Sequence, residues 1–259
     1  MTLRIHVPGP WPVGEPFDLP AEAARHVQVR RLQPGQALRL FGRGLPGDDL
    51  CEWPAEVVAM GRQHVTVRAA APEVVDRELA LRVTLQVVVP ANDRMDDLVE
   101  KATELGVYRI EPTLSERSVL RLDGERAQRK VMHWQAVAAA AAGQCGRTRV
   151  PEVASVASLD QRCRDAAVAV PQASRWVLQV TPAARPDGPA AGSVVVLSGP
   201  EGGLSPAELA MAQASGYRAV NLGPRVLRAD TAPLAVLAWL GLGAAYAAGR
   251  AVGRVSPGS

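Results

Sequence analysis

The chain has 259 residues, of which 47% are hydrophobic, and its formal net charge is only +3. It is therefore long enough for one large or two modest domains and too apolar for a disordered protein. Its three cysteines, Cys51, Cys145 and Cys163, are far apart and form no CxxC pair. This spacing argues against a disulfide scaffold or a zinc site and favours a reducing, cytoplasmic location.

The N-terminal part, residues 1–72, predicts a small β-rich domain. Short apolar runs at 3–7, 37–41, 52–58 and 64–69 predict strands, and clusters of proline and glycine between them predict turns. Only residues 21–31 have a helical pattern. We expect a small barrel, with a linker at 70–78.

The remainder, residues 73–259, predicts an α/β domain with a mainly parallel sheet, because strands and helices alternate along the chain. Strands are predicted at 81–89, 107–112, 176–180, 194–198 and 219–222. Helices are predicted at 92–105, 125–142 and 231–248, the second ending at Gly143. A capping box at Ser205, with Pro206 and Glu208, starts a further helix. The apolar stretch 233–249 is rich in Ala and Gly, which favours a buried helix over a membrane span.

Two glycine-containing loops, 198–203 and 222–232, follow predicted strands. In open α/β sheets, ligands bind beyond the carboxyl ends of the strands. Neither loop contains GxGxxG or GxxxxGK[ST], which disfavours a dinucleotide or a nucleoside triphosphate. A ligand without phosphates remains open, as does a role as plain tight turns.

Basic residues concentrate in two segments of this nearly neutral chain. Residues 21–43 hold five arginines against one acid, and residues 109–149 hold eight cations against four acids. Local basic patches fit a nucleic-acid partner, and two solvated faces are the alternative.

Several segments resemble the RsmE family of 16S ribosomal RNA uridine N3-methyltransferases, in the SPOUT superfamily. SGPEGG at 198–203 and LGPRVLRADTA at 222–232 are similar to its C-terminal signature. Four further matches follow the family order along the whole chain: VRRLQPG at 29–35, KATELGV at 101–107, LSERS at 114–118 and QCGRTRVP at 144–151. The chain departs from the family at Gly143, where Glu is usual, at Ala229 and Asp230, where Thr-Glu is usual, and at Arg30, where Leu is usual.

The resemblance implies a PUA-like RNA-binding barrel over 1–72 and a SPOUT domain over 73–259 with a C-terminal trefoil knot. It also implies S-adenosylmethionine as cofactor, no metal, a homodimer, and the 16S rRNA of the small ribosomal subunit as substrate, with no membrane partner. On the last predicted helix, a face of small and apolar residues is expected to contact a second subunit: Leu234, Leu237, Ala238, Gly241, Leu242, Ala245 and Ala248. Packing of this face on the chain's own sheet alone is the alternative.

The resemblance also suggests roles for individual residues. Arg228 is expected to stabilise the uridine anion or hold a phosphate, Asp230 to accept the N3 proton, and Glu201 to act as a third catalytic group. Asp230 as the N-cap of the last helix, Glu201 as a helix-dipole neighbour and Arg225 as a buried structural partner stay open. The expected cofactor-binding residues are Leu178, Leu197, Gly199, Pro200, Gly202, Gly203, Leu222, Gly223, Val226 and Leu227. The expected RNA-binding residues are Arg25, Arg30, Arg31, Gln144, Arg147 and Arg149.

His26 and His133 have no carboxylate or cysteine at ligand spacing and are read as ordinary residues. A ribose 2′-O-methyltransferase of the same fold is one alternative function. An RNA-binding module without catalysis is another.

Overall fold

The computed structural model describes residues 2–91, 94–120, 122–180, 186, 188 and 192–247. The chain forms two compact units. The first comprises Met1–Glu78 and Ala136–Pro151, and the second comprises Leu79–Gln135 and Glu152–Ser259. The division into functional domains after residue 72 stays a prediction.

The first unit is built on a six-stranded sheet with the order β1-β3-β4-β5-β2, in which β6 also pairs with β4. The strands are β1 (Leu3–His6), β2 (Pro16–Asp18), β3 (Ala37–Phe41), β4 (Cys51–Met60), β5 (Val65–Ala69) and β6 (Glu73–Val74), with helix α1 at Ala21–Val29. β1 and β3 are parallel, and the other pairings are antiparallel. The predicted strands and the single helix are confirmed. The predicted linker at 70–78 is wrong in part, because β6 lies within it and joins the sheet.

The core of the first unit surrounds two tryptophans. Trp11 packs edge-on against Trp53 with ring centroids 5.1 Å apart, and Phe17 stacks on Trp11 at 5.4 Å. Buried Leu40 and Val57, from the middle of β3 and β4, complete this core. Alternation of apolar and polar residues buries one face of β5 and of residues 53–57 in β4, as the sequence pattern predicts, whereas Glu52 on the other face of β4 is also buried.

A buried ion pair joins β1 to β4. The side chains of Arg4 and Glu52 are 7% and 5% exposed and lie 3.0 Å apart. Arg4 also donates to the carbonyl oxygens of Ala142, Gly143 and Arg147, at the end of helix α3 (Gly124–Cys145). Burial lowers the pKa of Arg4, and the carboxylate of Glu52 opposes that shift.

The predicted end of α3 at Gly143 is wrong, because the helix continues to Cys145. A glycine inside a helix costs only about 1 kcal/mol relative to alanine. The helix ends instead at Gly146, which has the left-handed φ of +91° that a helix terminus favours. Arg77 donates to the Gly146 carbonyl at 2.6 Å, so arginines bind several of the last carbonyls of the helix.

The second unit contains a seven-stranded, entirely parallel sheet with the order β10-β8-β7-β12-β11-β13, in which β9 also pairs with β8. Its strands are β7 (Arg82–Val88), β8 (Arg109–Leu114), β9 (Glu152–Val153), β10 (Ala157–Ser158), β11 (Ser174–Leu178), β12 (Ser193–Ser198) and β13 (Arg218–Val220). Its other helices are α2 (Arg94–Glu104), α4 (Leu159–Ala169), α5 (Pro206–Ala214) and α6 (Thr231–Ala247).

Helices cover both faces of this sheet. Val177 and Leu197 point into a core formed with α4 and α5, whereas Trp176 contacts Trp239 of α6 on the other face. The α/β prediction is therefore confirmed. The sequence analysis missed α4, whose buried positions include Cys163 and Ala166 and so give a weak apolar pattern. Within the described ranges, no helix combines the length and apolar character needed to cross a membrane.

Candidate active site

Three neighbouring strands end at one cavity. β12, β11 and β13 are adjacent and parallel, so their carboxyl ends meet at the same edge of the sheet. The loops that leave them enclose a cavity of about 550 Å³. This volume lies within the range of roughly 300–1,000 Å³ that is typical of small-molecule sites. The position beyond the carboxyl ends of parallel strands is the one that the sequence analysis predicts for a ligand.

Nine of the ten predicted cofactor-binding residues line this cavity. They are Leu178, Gly199, Pro200, Gly202, Gly203, Leu222, Gly223, Val226 and Leu227. The tenth, Leu197, is fully buried in the core against α4 and α5 and is not part of the wall. The sequence analysis missed Gln179, Val180 and Asn221, because the pairing that puts the end of β11 beside β13 appears only in the folded sheet.

Asn221 fixes the loop after β13 against the loop after β11. Its side-chain amide donates to the Val180 carbonyl at 2.7 Å, and its Oδ1 accepts from the Gly223 backbone N–H at 2.6 Å. Gly223 has a φ of +116°, a conformation that residues with a Cβ rarely adopt. The Asn221 side chain and the backbone of Gly223 therefore fix the part of the cavity wall where these two loops meet.

The glycine loop after β12, residues 199–204, is a closed turn. Gly203 donates to the Pro200 carbonyl at 2.8 Å. A Cβ on Gly199 would lie 3.1 Å from Leu204 Cγ, so this turn leaves little room for a side chain there. The predicted capping box follows at once and is confirmed, since Ser205 and Glu208 exchange hydrogen bonds at the start of α5.

Two arginines project from the loop after β13. Arg225 and Arg228 both line the cavity and are exposed, and the described residues provide no partner for either guanidinium. The alternative of Arg225 as a buried structural partner is therefore wrong. Uncompensated cations at the mouth of a cavity attract an anionic ligand or stabilise a developing negative charge.

The two predicted catalytic carboxylates have different surroundings. Glu201 lines the cavity, accepts from the Ala91 backbone N–H at 3.3 Å and lies 3.6 Å from Arg94. Its alternative role as a helix-dipole neighbour of α5 stays a prediction. Asp230 is half-buried outside the cavity wall.

The N-cap alternative for Asp230 is not formed. In the described first turn of α6, no backbone N–H donates to its carboxylate, which accepts only from the Thr231 hydroxyl at 3.5 Å. The backbone N–H groups of Thr231 and Ala232 both bond to the Arg228 carbonyl instead. Asp230 therefore follows the cavity-lining part of the loop directly and keeps most of its hydrogen-bonding capacity.

The predicted RNA-binding residues lie in the first unit. Arg25, Arg30 and Arg31 are exposed along α1 and at its end, and Gln144 is exposed in the last turn of α3. Arg149 is half-buried. Arg147 is 3% exposed and ion-paired with Glu78, which removes its guanidinium from the surface that RNA could reach.

His133 has a carboxylate partner that its sequence neighbourhood does not reveal. Its Nε2 lies 2.6 Å from Asp96 Oδ2, and Trp134 Nε1 donates to the other oxygen at 3.0 Å. These contacts join α2 to the first half of α3 and lie outside the cavity wall. In the part of the chain that is described, three or more His, Cys, Asp or Glu side chains nowhere gather as a metal site would require.

Comparison with known proteins identifies the class. Residues 77–241 match the family model of the RNA methyltransferase domain. Ribosomal RNA small subunit methyltransferase E of Bacillus subtilis is 30% identical over 229 residues, covering 85% of this chain and 88% of that protein. The protein of the same name from Mycobacterium bovis is 34% identical over 233 residues, covering 85% and 84%. The chain belongs to the ribosomal RNA small subunit methyltransferase E family.

Solved structures agree with this assignment. A protein from Legionella pneumophila in complex with S-adenosylmethionine superimposes with a TM-score of 0.84 at 31% identity, covering 94% of this chain and 98% of that one. Ribosomal RNA small subunit methyltransferase E from Neisseria gonorrhoeae, bound to S-adenosylmethionine, gives a TM-score of 0.83 at 29% identity and covers 93% and 97%.

Proposed function

We propose that this chain transfers the methyl group of S-adenosylmethionine to N3 of a uridine in the 16S rRNA of the small ribosomal subunit. The observation that carries the proposal is the cavity at the ends of β11, β12 and β13, with its glycine loops and the uncompensated Arg228. Family membership and two structural relatives that hold S-adenosylmethionine support the cofactor and the RNA substrate.

The residues of the cavity fit this cofactor. Leu178, Leu222, Val226 and Leu227 supply apolar surface for the adenosine part, and the backbone around Gly199 supplies hydrogen-bonding groups. S-adenosylmethionine carries no phosphate, and the loops contain no phosphate-binding motif. When bound, the cofactor supplies a methyl group on a sulfonium, which is electrophilic without help from a metal.

The protein must then orient the uridine and remove its N3 proton. Arg228, at the cavity, stabilises the negative charge that develops on the uracil ring. Asp230 accepts the proton through a water molecule, because its carboxylate lies outside the cavity wall. Glu201 is held by Ala91 and Arg94 and orders the glycine loop beside the reacting groups. The base has to leave the RNA stack to reach this position.

Nucleoside analysis tests the proposal. Small ribosomal subunits from cells without the gene are incubated with the purified chain and S-adenosylmethionine, and the rRNA is digested for mass spectrometry. We expect N3-methyluridine. A 2′-O-methylated nucleoside would establish the alternative methyltransferase, and the absence of any methylation together with intact RNA binding would establish a non-catalytic RNA-binding module.

Gly223→Val is expected to lower the affinity for S-adenosylmethionine at least tenfold. At a φ of +116° a β-branched residue is strained, so the loop has to move away from the cavity wall. Isothermal titration measures the affinity. Gly192→Val, which precedes β12 at the end of the strand away from the cavity, is the control and should bind normally, because a Cβ there meets nothing within 4 Å and the φ is not positive. Unchanged affinity in folded Gly223→Val would place the cofactor elsewhere.

In this proposal the first unit is a PUA-like barrel, and it is the part of the chain that binds the RNA. Its exposed Arg25, Arg30 and Arg31 form no ion pair among the described residues, so their charges are available to phosphates. Arg31 has a φ of +56°, and it is the one non-glycine residue with a positive φ in the described chain. This φ ends helix α1, because it turns the Leu32 backbone N–H back to the Val27 carbonyl at 3.3 Å.

Arg31→Gly is expected to raise the free energy of unfolding by about 1 kcal/mol while weakening RNA binding. The strain disappears and one phosphate contact is lost, so the slope of log K against log salt should shrink by about 0.7–0.9. Thermal melts and salt-dependent RNA titrations measure the two effects. Arg31→Lys keeps both charge and strain and should behave as wild type. A stabilised variant with unchanged RNA binding would remove Arg31 from the interface.

The homodimer in this proposal uses the outer face of α6. Trp239 and Leu242 are 39% and 64% exposed on a helix without charged residues in its described length. Trp239 does not belong to the predicted face, and that prediction is wrong in part. Leu237 is fully buried and a Cβ on Gly241 would meet Leu79 at 3.4 Å, so these two positions pack within the subunit. Ala248 and the side chain of Ala245 lie outside the described part.

Leu242→Glu is expected to convert a dimer to monomers at micromolar concentration and to abolish methylation. The carboxylate cannot be buried without a partner, whereas the isolated subunit tolerates it at this exposed position. Sedimentation velocity measures the assembly. Val168→Glu, at a position that is 82% exposed on α4, is the control. Monomeric, fully active wild-type protein would contradict the dimer.

Two finer features complete the proposal. The C-terminal chain forms a trefoil knot, which is consistent with β12 returning to lie between β7 and β11 while α6 packs on β7 and β12. A ribosomal RNA substrate places the enzyme in the cytoplasm.

A further inference from the structure

The loop after β8 is held against the glycine loop of the cavity. Its turn is closed by the Ser115 backbone N–H, which donates to Ser118 Oγ at 2.8 Å, and by the Ser118 backbone N–H, which donates to the Ser115 carbonyl at 3.1 Å. The Glu116 backbone N–H donates to the buried carboxylate of Glu208 at 2.8 Å. The backbone on either side of Arg117 is therefore fixed.

Arg117 reaches from this turn to the cavity wall. Its Nη1 donates to the carbonyl oxygen of Gly202 at 2.6 Å, and Gly202 lines the cavity. This bond uses one of the five N–H groups of the guanidinium. The side chain is exposed, so its other donors remain available to a ligand that approaches the cavity.

No described carboxylate compensates the charge of Arg117, whereas the charge of Arg94, which also approaches the glycine loop, is compensated. Arg94 lies 3.6 Å from Glu201, whereas no described carboxylate lies within ion-pair distance of Arg117. Its acceptor, the Gly202 carbonyl, is neutral. Arg117 therefore adds a full positive charge beside the glycine loop, and Arg225 and Arg228 add theirs on the loop after β13.

We propose that Arg117 binds a backbone phosphate of the RNA strand that carries the target uridine and positions that strand on the glycine loop. The inference rests on the proposed function, since it requires an RNA substrate. A guanidinium can donate to the Gly202 carbonyl and to a phosphate at the same time, because its donors form a planar fork. An extruded nucleotide needs its flanking phosphates held near the pocket, and Arg117 lies where one of them would pass.

The test compares Arg117→Gln and Arg117→Lys with wild type on small ribosomal subunits. For Arg117→Gln we expect the KM for the subunit to rise about tenfold. The salt slope of RNA binding should shrink by about 0.7–0.9. Affinity for S-adenosylmethionine should change less than the KM, because Glu208 and Glu201 still hold the glycine loop. Arg117→Lys keeps the charge and should keep the salt slope, while its KM lies between the other two.

A control and a stability measurement separate the possible outcomes. Arg164→Gln removes an exposed arginine of the same unit that is paired with Asp160 and lies outside the basic segments, and its KM and salt slope should match wild type. Thermal melts verify folding. If Arg117→Gln keeps the wild-type subunit KM and salt slope, or loses cofactor affinity as strongly as RNA affinity, Arg117 only braces the loop and the inference fails. Wild-type protein without methylation would instead overturn the proposed function.

Discussion

Glu52→Gln is expected to destabilise the first unit by about 3 kcal/mol. Arg4, whose side chain is 7% exposed, would lose its charged partner and remain buried. Removing one member of a buried ion pair is expensive, because the remaining charge has left water without compensation. The same arginine binds three carbonyls at the end of α3, so protection of those turns in hydrogen exchange should fall together with the melting temperature.

Glu73→Gln is the matched control. Glu73 pairs with Arg39, which also contacts Glu52, but the Glu73 side chain is 51% exposed and its substitution leaves the Arg4–Glu52 pair in place. Exposed ion pairs contribute roughly 0–1 kcal/mol, so this variant should unfold close to wild type in urea. Equal destabilisation by the two substitutions would mean that burial does not decide the value of the Glu52 pair.

Arg228→Ala is expected to lower kcat about 100-fold while leaving the affinity for S-adenosylmethionine nearly unchanged. The guanidinium lies at the cavity without a described partner, so its loss should remove stabilisation of charge in the transition state rather than structure. Single-turnover methylation of small ribosomal subunits measures the rate, and isothermal titration measures the affinity.

Arg225→Ala controls for the loss of one exposed cation from the same loop. Both arginines line the cavity, but we expect Arg225→Ala to raise the subunit KM with a much smaller effect on kcat. Arg228→Lys should recover part of the rate, because a charge returns without the planar fork. Equal losses of kcat in both alanine variants would assign the effect to general electrostatic attraction and not to Arg228.

The local sequence predicted most of the elements and most of the cavity wall. Continuous apolar runs predicted the buried strands, and the pair Ser205 and Glu208 predicted the start of α5. Both signals depend on residues that are close in the chain. The loops that contain glycine after parallel strands account for eight of the nine confirmed wall residues, and Leu178 at the end of β11 is the ninth. The resemblance to the methyltransferase family supplied their identity as a cofactor site, which the spacing alone left open.

The errors in the site analysis came from contacts between distant segments. Leu197 belongs to the right strand but faces the core, and the strand pattern of a fully buried sheet does not distinguish its two faces. The basic segment around Arg147 predicts a free cation, but in the folded chain Arg147 pairs with Glu78, which lies 69 residues earlier. Nor does the sequence pattern predict the partner of Arg117, because its acceptor is the backbone carbonyl of Gly202, 85 residues away.

The sequence by itself determined which segments become strands and helices, where glycine must form a loop, and which family the chain resembles. Only the tertiary structure decided which charges are neutralised. Arg147 and Arg4 are buried in ion pairs, whereas Arg117, Arg225 and Arg228 keep their charge beside the cavity. The physical reason is that apolar periodicity is a local property, while the electrostatic state of an arginine depends on carboxylates that folding brings near from elsewhere in the chain.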